Sequence, residues 1–271
     1  MRFKRFYIEI TNVCDLNCSF CSKTLRNPRE MSPDEFRYVI SEVSRFTDHI
    51  YLHVKGEPLA HSQIDNILTI CDDFPVKVNI TTNGTLLRTK KDILKKHKSV
   101  RQLNISLHSA ENTVKAEKYT DDVLSSADEL SKFFMISLRL WTFENPGASN
   151  ELILNKLSKK YSLNLSKNRS FLAENIFLNI AETFEWPSLR LPDYGENGFC
   201  QGTRTQMAVL SNGDVVPCCL DAEGIICFGN IFKSALSDIL QTERFITMSS
   251  NLKKRKLTEE LCRHCSYRLR F

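Results

Sequence analysis

The 271-residue sequence predicts an α/β fold built around parallel strands, and two observations predict it. From residue 6 to about residue 145, short β-rich runs alternate with amphipathic segments of helical length, the pattern of successive βα units. The strand-like runs also carry polar residues at alternate positions: Glu9 and Thr11, His53 and Lys55, Asn79 and Thr81, then Asn104, Ser106 and His108, then Arg139 and Trp141. Helical crossovers cover one face of such a sheet, so the polar set turns to the other face. An ordinary eight-stranded barrel fills that interior with branched apolar side chains, whereas this pattern describes a polar cavity. An antiparallel sheet with one wetted face would alternate in the same way, but helix-length connections argue against it.

The elements follow in order. A strand is expected over Tyr7 to Asn12. The first helix opens on Ser32-Pro33-Asp34-Glu35, a capping box with Pro at the first helical position, and continues as an apolar stripe of Phe36, Val39, Ile40, Val43 and Phe46. Strands are expected over Ile50 to Val54, Val76 to Thr81, Leu103 to Leu107 and Ile136 to Phe143, with helices near Ser62 to Asp73, Leu86 to His97 and Asp121 to Phe134. A helix near Asn150 to Tyr161 and a sixth strand near Asn175 to Ile180 complete the run. Trp186 to Gly195 is rich in chain breakers and marks a boundary, dividing residues 1–190 from 191–271.

Composition is that of a globular protein, and the length suits one α/β domain with a small appendage. The N-terminus is basic but lacks the continuous apolar core of a signal peptide, and nothing is apolar enough to span a bilayer, so a cytoplasmic protein with no membrane partner is expected. The net charge of +5 lies entirely in residues 251–271, where seven Lys and Arg face Glu259 and Glu260. That tail reads either as a solvated helix face or as a contact for an anionic partner such as RNA.

The chemistry concentrates in Cys14-Asp15-Leu16-Asn17-Cys18-Ser19-Phe20-Cys21, a C-x3-C-x2-C run directly after the first strand. Close thiols in a chain without a secretory signal point to metal or iron–sulfur ligation, because such thiols stay reduced. Four thiolates normally hold an iron–sulfur cluster, so three leave one iron open to a further ligand. A zinc site is the alternative, and its nearest downstream completing residues would be His49 and His53.

The run resembles the signature of the radical S-adenosylmethionine (radical SAM) enzymes, and the resemblance extends over about residues 5 to 185. It implies a partial six-unit βα barrel, (β/α)6, whose lumen holds SAM and substrate, with Cys14, Cys18 and Cys21 binding a 4Fe-4S cluster that chelates SAM. Lys55-Gly56-Glu57-Pro58 looks like the family's Gly-Gly-Glu-Pro element at the SAM ammonium, with Lys in place of the first Gly. Thr82-Asn83-Gly84 matches another recurrent element; alone it is a Gly-containing turn. By the same resemblance Phe20 lies beside the adenine, and Ser106 and Arg139 stand where ribose and carboxylate contacts are made. Arg suits a carboxylate through its planar fork, although a buried structural ion pair would also explain Arg139.

Beyond the boundary, Cys200, Cys218, Cys219, Cys227, Cys262 and Cys265 crowd the last 72 residues, and Ser211-Asn212-Gly213-Asp214 reads as a hairpin turn. Gly229-Asn230-Ile231 precedes a helix near Ala235 to Phe245. The layout resembles the twitch domain, a short form of the SPASM auxiliary-cluster domain. Carried over, Cys200, Cys218, Cys262 and Cys265 would hold a second 4Fe-4S cluster; a four-cysteine zinc site is the alternative. Cys71, Cys219 and Cys227 are left without a role. The resemblance implies a radical SAM oxidoreductase of the SPASM/twitch group, served by an external electron donor of flavodoxin or ferredoxin type. Net oxidation of a small molecule leads, modification of a peptide, protein or RNA follows, and a non-catalytic electron-transfer protein would leave the SAM elements unexplained. His53, His108 and Lys55 are the candidate catalytic groups.

Overall fold

The computed structural model describes residues 1–142, 148–161 and 169–270. Strands and helices alternate as β1 (Arg5–Ile8), α1 (Pro33–Val43), β2 (His49–Tyr51), α2 (Ile64–Asp72), β3 (Lys77–Thr82), α3 (Leu87–Leu94), β4 (Val100–Ser106), α4 (Ala116–Leu130), β5 (Met135–Thr142) and α5 (Ala148–Tyr161). A hairpin of β6 (Arg169–Ala173) and β7 (Ile176–Glu182) follows. The C-terminal region adds β8 (Gln206–Val209), β9 (Asp214–Val216), β10 (Gly229–Asn230), α6 (Leu236–Ile239), α7 (Glu243–Lys253) and α8 (Glu260–Arg263). All ten strands form one sheet in the order β10-β9-β8-β1-β2-β3-β4-β5-β7-β6. β1, β2, β3, β4, β5 and β7 are mutually parallel and form the partial (β/α)6 barrel.

Local sequence explains the best-defined helix. In α1 the Ser32 hydroxyl accepts from the Glu35 N–H while the Glu35 carboxylate accepts from the Ser32 N–H, so both ends of the capping box are formed. Phe36, Val39, Ile40 and Val43 are buried against the outer face of the sheet, where Ile8, Ile50, Ile80 and Ile105 complete the core. Cys71, on α2, lies fully inside that core as a small apolar side chain.

Four details depart from the sequence expectation. The first strand runs over Arg5–Ile8 rather than from Tyr7 to Asn12, because past Glu9 the chain turns toward Arg29 and Glu30. α4 begins at Ala116, five residues early, which buries Tyr119 and Thr120. The expected sixth strand is preceded by β6, paired antiparallel through a turn in which Asn175 adopts φ +58°. The helix expected over 235–245 is two, since Thr242 starts α7 by accepting from the Phe245 N–H. Phe143, the expected end of β5, lies outside the described residues.

The sheet continues across the expected boundary: β8 pairs parallel with β1, and β9 and β10 extend it antiparallel. The basic tail divides. Arg268 donates to the carbonyls of Tyr194, Gly195 and Asn197, Arg270 donates to those of Glu182 and Thr183, and Arg263 pairs with Asp193. These three fasten the irregular segment that links the barrel to the C-terminal region; Lys253, Lys254, Arg255 and Lys256 face solvent. Among the described residues no helix is long and apolar enough to cross a membrane.

Candidate active site

Cys14, Cys18 and Cys21 sit on the loop between β1 and α1 and line one cavity of about 310 Å³, whose wall also includes Asn12, Lys55 and Gly56. Burial, then the neighbouring thiols Cys14 and Cys21, push Cys18 up to about 12; Cys14 is pushed up to about 11, chiefly by burial. Three thiols lining one cavity are a donor set for a cationic centre. Among the described residues no three His, Cys, Asp or Glu side chains converge tightly enough for a single ion. A C-x3-C-x2-C run suits a cluster, in which each thiolate takes a different iron.

The Lys55-Gly56-Glu57-Pro58 stretch grips that loop. Gly56 has φ +75°, and a Cβ there would lie 2.4 Å from the Thr11 carbonyl oxygen, so only glycine lets the two backbones meet. The Glu57 N–H donates to Val13 O at 2.9 Å. Glu57 itself is 1% exposed, and both its oxygens are in use: it accepts from Thr82 Oγ1 (2.7 Å), Leu59 N (3.0 Å) and Asn83 N (2.6 Å). Burial raises its carboxyl to about 7 against those bonds. The structure thus gives Glu57 the work of joining the ends of β2 and β3, instead of leaving a free carboxylate for a ligand. Asn83 passes the connection on, donating to Asp15 Oδ1 at 2.7 Å and lying 3.7 Å from Cys14 Sγ. Pro58 starts a buried 3-10 turn. Lys55 Nζ bonds Ser22 Oγ at 2.5 Å, lies 3.8 Å from Cys21 Sγ and stands 3.4 Å over the Trp186 ring, a cation held against the cysteine loop.

An aromatic wall leads from that loop into the barrel. Phe20 meets His108 edge-on at 4.8 Å and Trp141 at 5.3 Å; His108 stacks on Trp141 at 4.4 Å with 5° between the planes. Phe184 carries the wall from Trp141 to Tyr267. The Nδ1–H of His108 donates to Arg139 O, and burial lowers this imidazole to about 3. His53 is lowered to about 3 by burial and the Arg139 charge. Both rings are therefore neutral at pH 7 and too weakly basic to store a proton, which counts against either as a catalytic base. Ser106 ends β4 in register with Arg139 of β5. Burial lowers the Arg139 guanidinium from its ordinary range, and Tyr267, Tyr7 and Cys219 act against that shift.

In the C-terminal region, Cys200, Cys218, Cys262 and Cys265 are each raised first by burial, and the last three further by Cys200. Cys200 and Cys262 also pack against the core. Cys219 turns the other way, against Tyr7, and Cys227 lies 3.4 Å from Gly229 O beside Asp214. Tyr267, at the far end of the aromatic wall, follows Cys265 of this set by two residues. Both donor sets fit iron–sulfur clusters.

Sequence reasoning missed the hub of this arrangement. Glu9, 0% exposed, pairs with Arg26 at 2.7 Å and accepts from Lys55 N, Ser211 N and Ser211 Oγ, tying β1, the cysteine loop, the end of β2 and the β8–β9 turn together. Arg26 and Arg29 also donate to the carbonyls of Ala222 and Ser211. Glu9 was visible only as one of the polar alternates of the first strand-like run; its partner, 17 residues away in a loop, gave no signal.

Comparison with known proteins agrees with this geometry. Residues 8–139 match the radical SAM superfamily model, and residues 200–266 match the model of the SPASM iron–sulfur cluster-binding domain. A probable GTP 3',8-cyclase of Pyrococcus abyssi is 29% identical over 137 residues, 47% of this chain and 43% of that protein; the chain spans about two fifths of the length of such cyclases. An S-adenosyl-L-methionine-dependent 2-deoxy-scyllo-inosamine dehydrogenase of Niallia circulans is 20% identical over 97% of this chain and 93% of its own. The crystal structure of BtrN in complex with AdoMet and 2-DOIA superposes with a TM-score of 0.65 at 18% identity, covering 98% of this chain and 94% of that one, and so shares the fold. The cofactors of these two domains are S-adenosylmethionine with a 4Fe-4S cluster, and an auxiliary iron–sulfur cluster. The chain belongs to the radical SAM superfamily and carries a SPASM-type auxiliary-cluster domain.

Proposed function

We propose that the protein oxidises a small molecule by two electrons, using radical hydrogen abstraction in the barrel lumen. The observation that carries this reading is the placement of two thiol sets along a single aromatic wall, one lining an open cavity beside Phe20 and one in the C-terminal region that holds Tyr267. Cys14, Cys18 and Cys21 would hold the SAM-binding cluster, and Cys200, Cys218, Cys262 and Cys265 the auxiliary one. Bound there, these groups supply a hydrogen-abstracting 5′-deoxyadenosyl radical and a sink for the second electron of the oxidation. The chain's own part is to position and to exclude. Lys55, Asn83 and Gly56 fix the cysteine loop; Phe20, His108 and Trp141 wall the chamber against water; Tyr7, Tyr51 and Arg139 present polar groups to the substrate. The likeness in length and fold to a SAM-dependent dehydrogenase of an aminocyclitol supports a small substrate. An external donor of flavodoxin or ferredoxin type would deliver the initiating electron, as expected for a cytoplasmic enzyme.

The test is the double variant Cys262→Ala/Cys265→Ala, assayed with the metabolites that accumulate in cells lacking the protein. Wild type should hold about eight irons and make one oxidised product per SAM consumed, while the variant holds about four. The variant should keep SAM cleavage and lose product. Eight irons in the variant would remove the ligand assignment; normal product from a four-iron variant would remove the electron-sink role.

A further inference from the structure

Three cations line the cavity of Cys14, Cys18 and Cys21: Lys23, Arg26 and Lys55. Lys23 is exposed, and Arg26 is committed to the Glu9 carboxylate at 2.7 Å. Lys55 differs from both. It stands where the family element has Gly, it is 6% exposed, and among the described residues it forms no salt bridge. Its Nζ meets Ser22 Oγ at 2.5 Å, Cys21 Sγ at 3.8 Å and the face of Trp186 at 3.4 Å. The indole N–H of Trp186 donates to Phe20 O at 3.2 Å, so the ring that backs the ammonium is itself tied to the cysteine loop. Burial pulls Lys55 below its ordinary range, while Cys21, Glu223 and Glu9 favour its charged form. The acid at the other end of the loop, Asp15 beside Cys14, is already held by Asn83 Nδ2 and Thr85 Oγ1.

A buried ammonium whose neighbours are a hydroxyl, a ring face and a thiol has little to offset its desolvation until negative charge gathers on the loop. Thiolates that ligate a cluster supply such charge, and the electron from the external donor adds one unit more. Away from bulk water, a neighbouring positive charge favours the more negative, reduced form, and charge near the ligating sulfurs is one of the levers that set a cluster's potential. We infer that Lys55, held in place by Trp186, raises the reduction potential of the cluster bound by Cys14, Cys18 and Cys21 and so eases the initiating one-electron reduction. No bond forms or breaks at the lysine; the electron comes from the donor, and its charge is balanced where it arrives. This role rests on the assignment of those three thiols to the SAM-binding cluster. A lysine that only fastened the loop would alter iron retention and leave the potential of the bound cluster alone.

Redox titration of the cluster-loaded protein at one fixed pH, followed by electron paramagnetic resonance, tests this without relying on turnover. SAM is added only to separate samples, where the signal it changes identifies the N-terminal set. Without SAM, at the potential that half-reduces this set in wild type, the ratio of reduced to oxidised cluster should fall about tenfold in Lys55→Met. That is a shift of about 59 mV to lower potential, at the lower end of what a charge-assisted contact is worth. Lys55→Gln keeps a donor for Ser22 without the charge and should follow Lys55→Met, whereas Lys55→Arg keeps the charge and should stay within about threefold of wild type. Wild-type reduction in either uncharged variant would overturn the proposal. So would an equal fall in Lys55→Arg, which would make shape the cause, or loss of the N-terminal irons from both uncharged variants, which would make Lys55 a structural clasp. If no wild-type signal responds to SAM, the three-thiol assignment fails and this role falls with it; a SAM-responsive signal whose potential ignores residue 55 removes this role alone.

Discussion

The two thiol sets are held by different physics. Cys14, Cys18 and Cys21 lie on a loop without helix or strand, lining an open cavity, and polar clasps fix the loop: Arg26 on Glu9, Asn83 on Asp15, Lys55 on Ser22, and the Glu57 N–H on Val13. Cys200 and Cys262 instead pack against the apolar core. The difference follows from the work proposed for each. A site that admits a cofactor and a substrate must stay open and partly wet, so it cannot be held by a dry core, whereas a closed cluster gains from burial. Disturbing charge or hydrogen bonding should therefore strike the first set, and disturbing packing the second.

The largest effect should come from the first set's own thiols. Cys14→Ala, Cys18→Ala or Cys21→Ala should each abolish formation of 5′-deoxyadenosine while leaving the four irons of the C-terminal set in place. Wild-type cleavage by any one variant would end the assignment. Next comes the clasp beneath the loop. Arg26→Met leaves the fully buried Glu9 carboxylate without its cation, which should cost about 3–5 kcal/mol in urea unfolding. Glu9→Gln added to it should recover much of that loss. Irons should leave the N-terminal set before the C-terminal one, and equal loss from both would erase the distinction between the two regions.

How much of this was legible in the sequence depended on whether the cause was local. The α1 capping box, the cysteine run and the Gly56 turn are written in neighbouring residues, and the structure shows the capping bonds and the close approach that makes glycine necessary. The alternation of polar residues gave the polar lumen face, because side-chain period is a property of a single strand. Long-range pairing was not legible. Nothing near Glu9 announces Arg26 or Ser211, and nothing in Gln206–Val209 announces that this strand lies parallel to β1 and continues the barrel sheet. Glu57 was the most instructive residue. Its motif marked a functional stretch, but its carboxylate is directed into the protein, and only the three donors around it reveal that.

The smallest expected effect is a pH dependence that belongs to the first region alone. Burial raises the Glu57 carboxyl from its ordinary 4.5 to about 7, so between those values the folded protein binds a proton that the unfolded chain has released. The folded state is favoured by this term below pH 4.5, and the contribution is lost as the pH rises through 7. Glu57→Gln keeps the shape but cannot titrate; its amide nitrogen also faces one of the two backbone N–H donors, a pH-independent cost, so the comparison reads the slope of the profile and not its height. Between pH 5 and pH 8 the stability of wild type should fall relative to Glu57→Gln by about 2 kcal/mol in paired urea titrations. The accompanying loosening should appear at Thr82 and Asn83, whose hydrogen bonds end on this carboxyl, as faster amide exchange at Asn83 in wild type above pH 7 and not in the variant. Parallel stability profiles for the two proteins would mean that the three donors already hold Glu57 ionised at neutral pH. The first thiol loop would then rest on a permanent carboxylate instead of a titrating one.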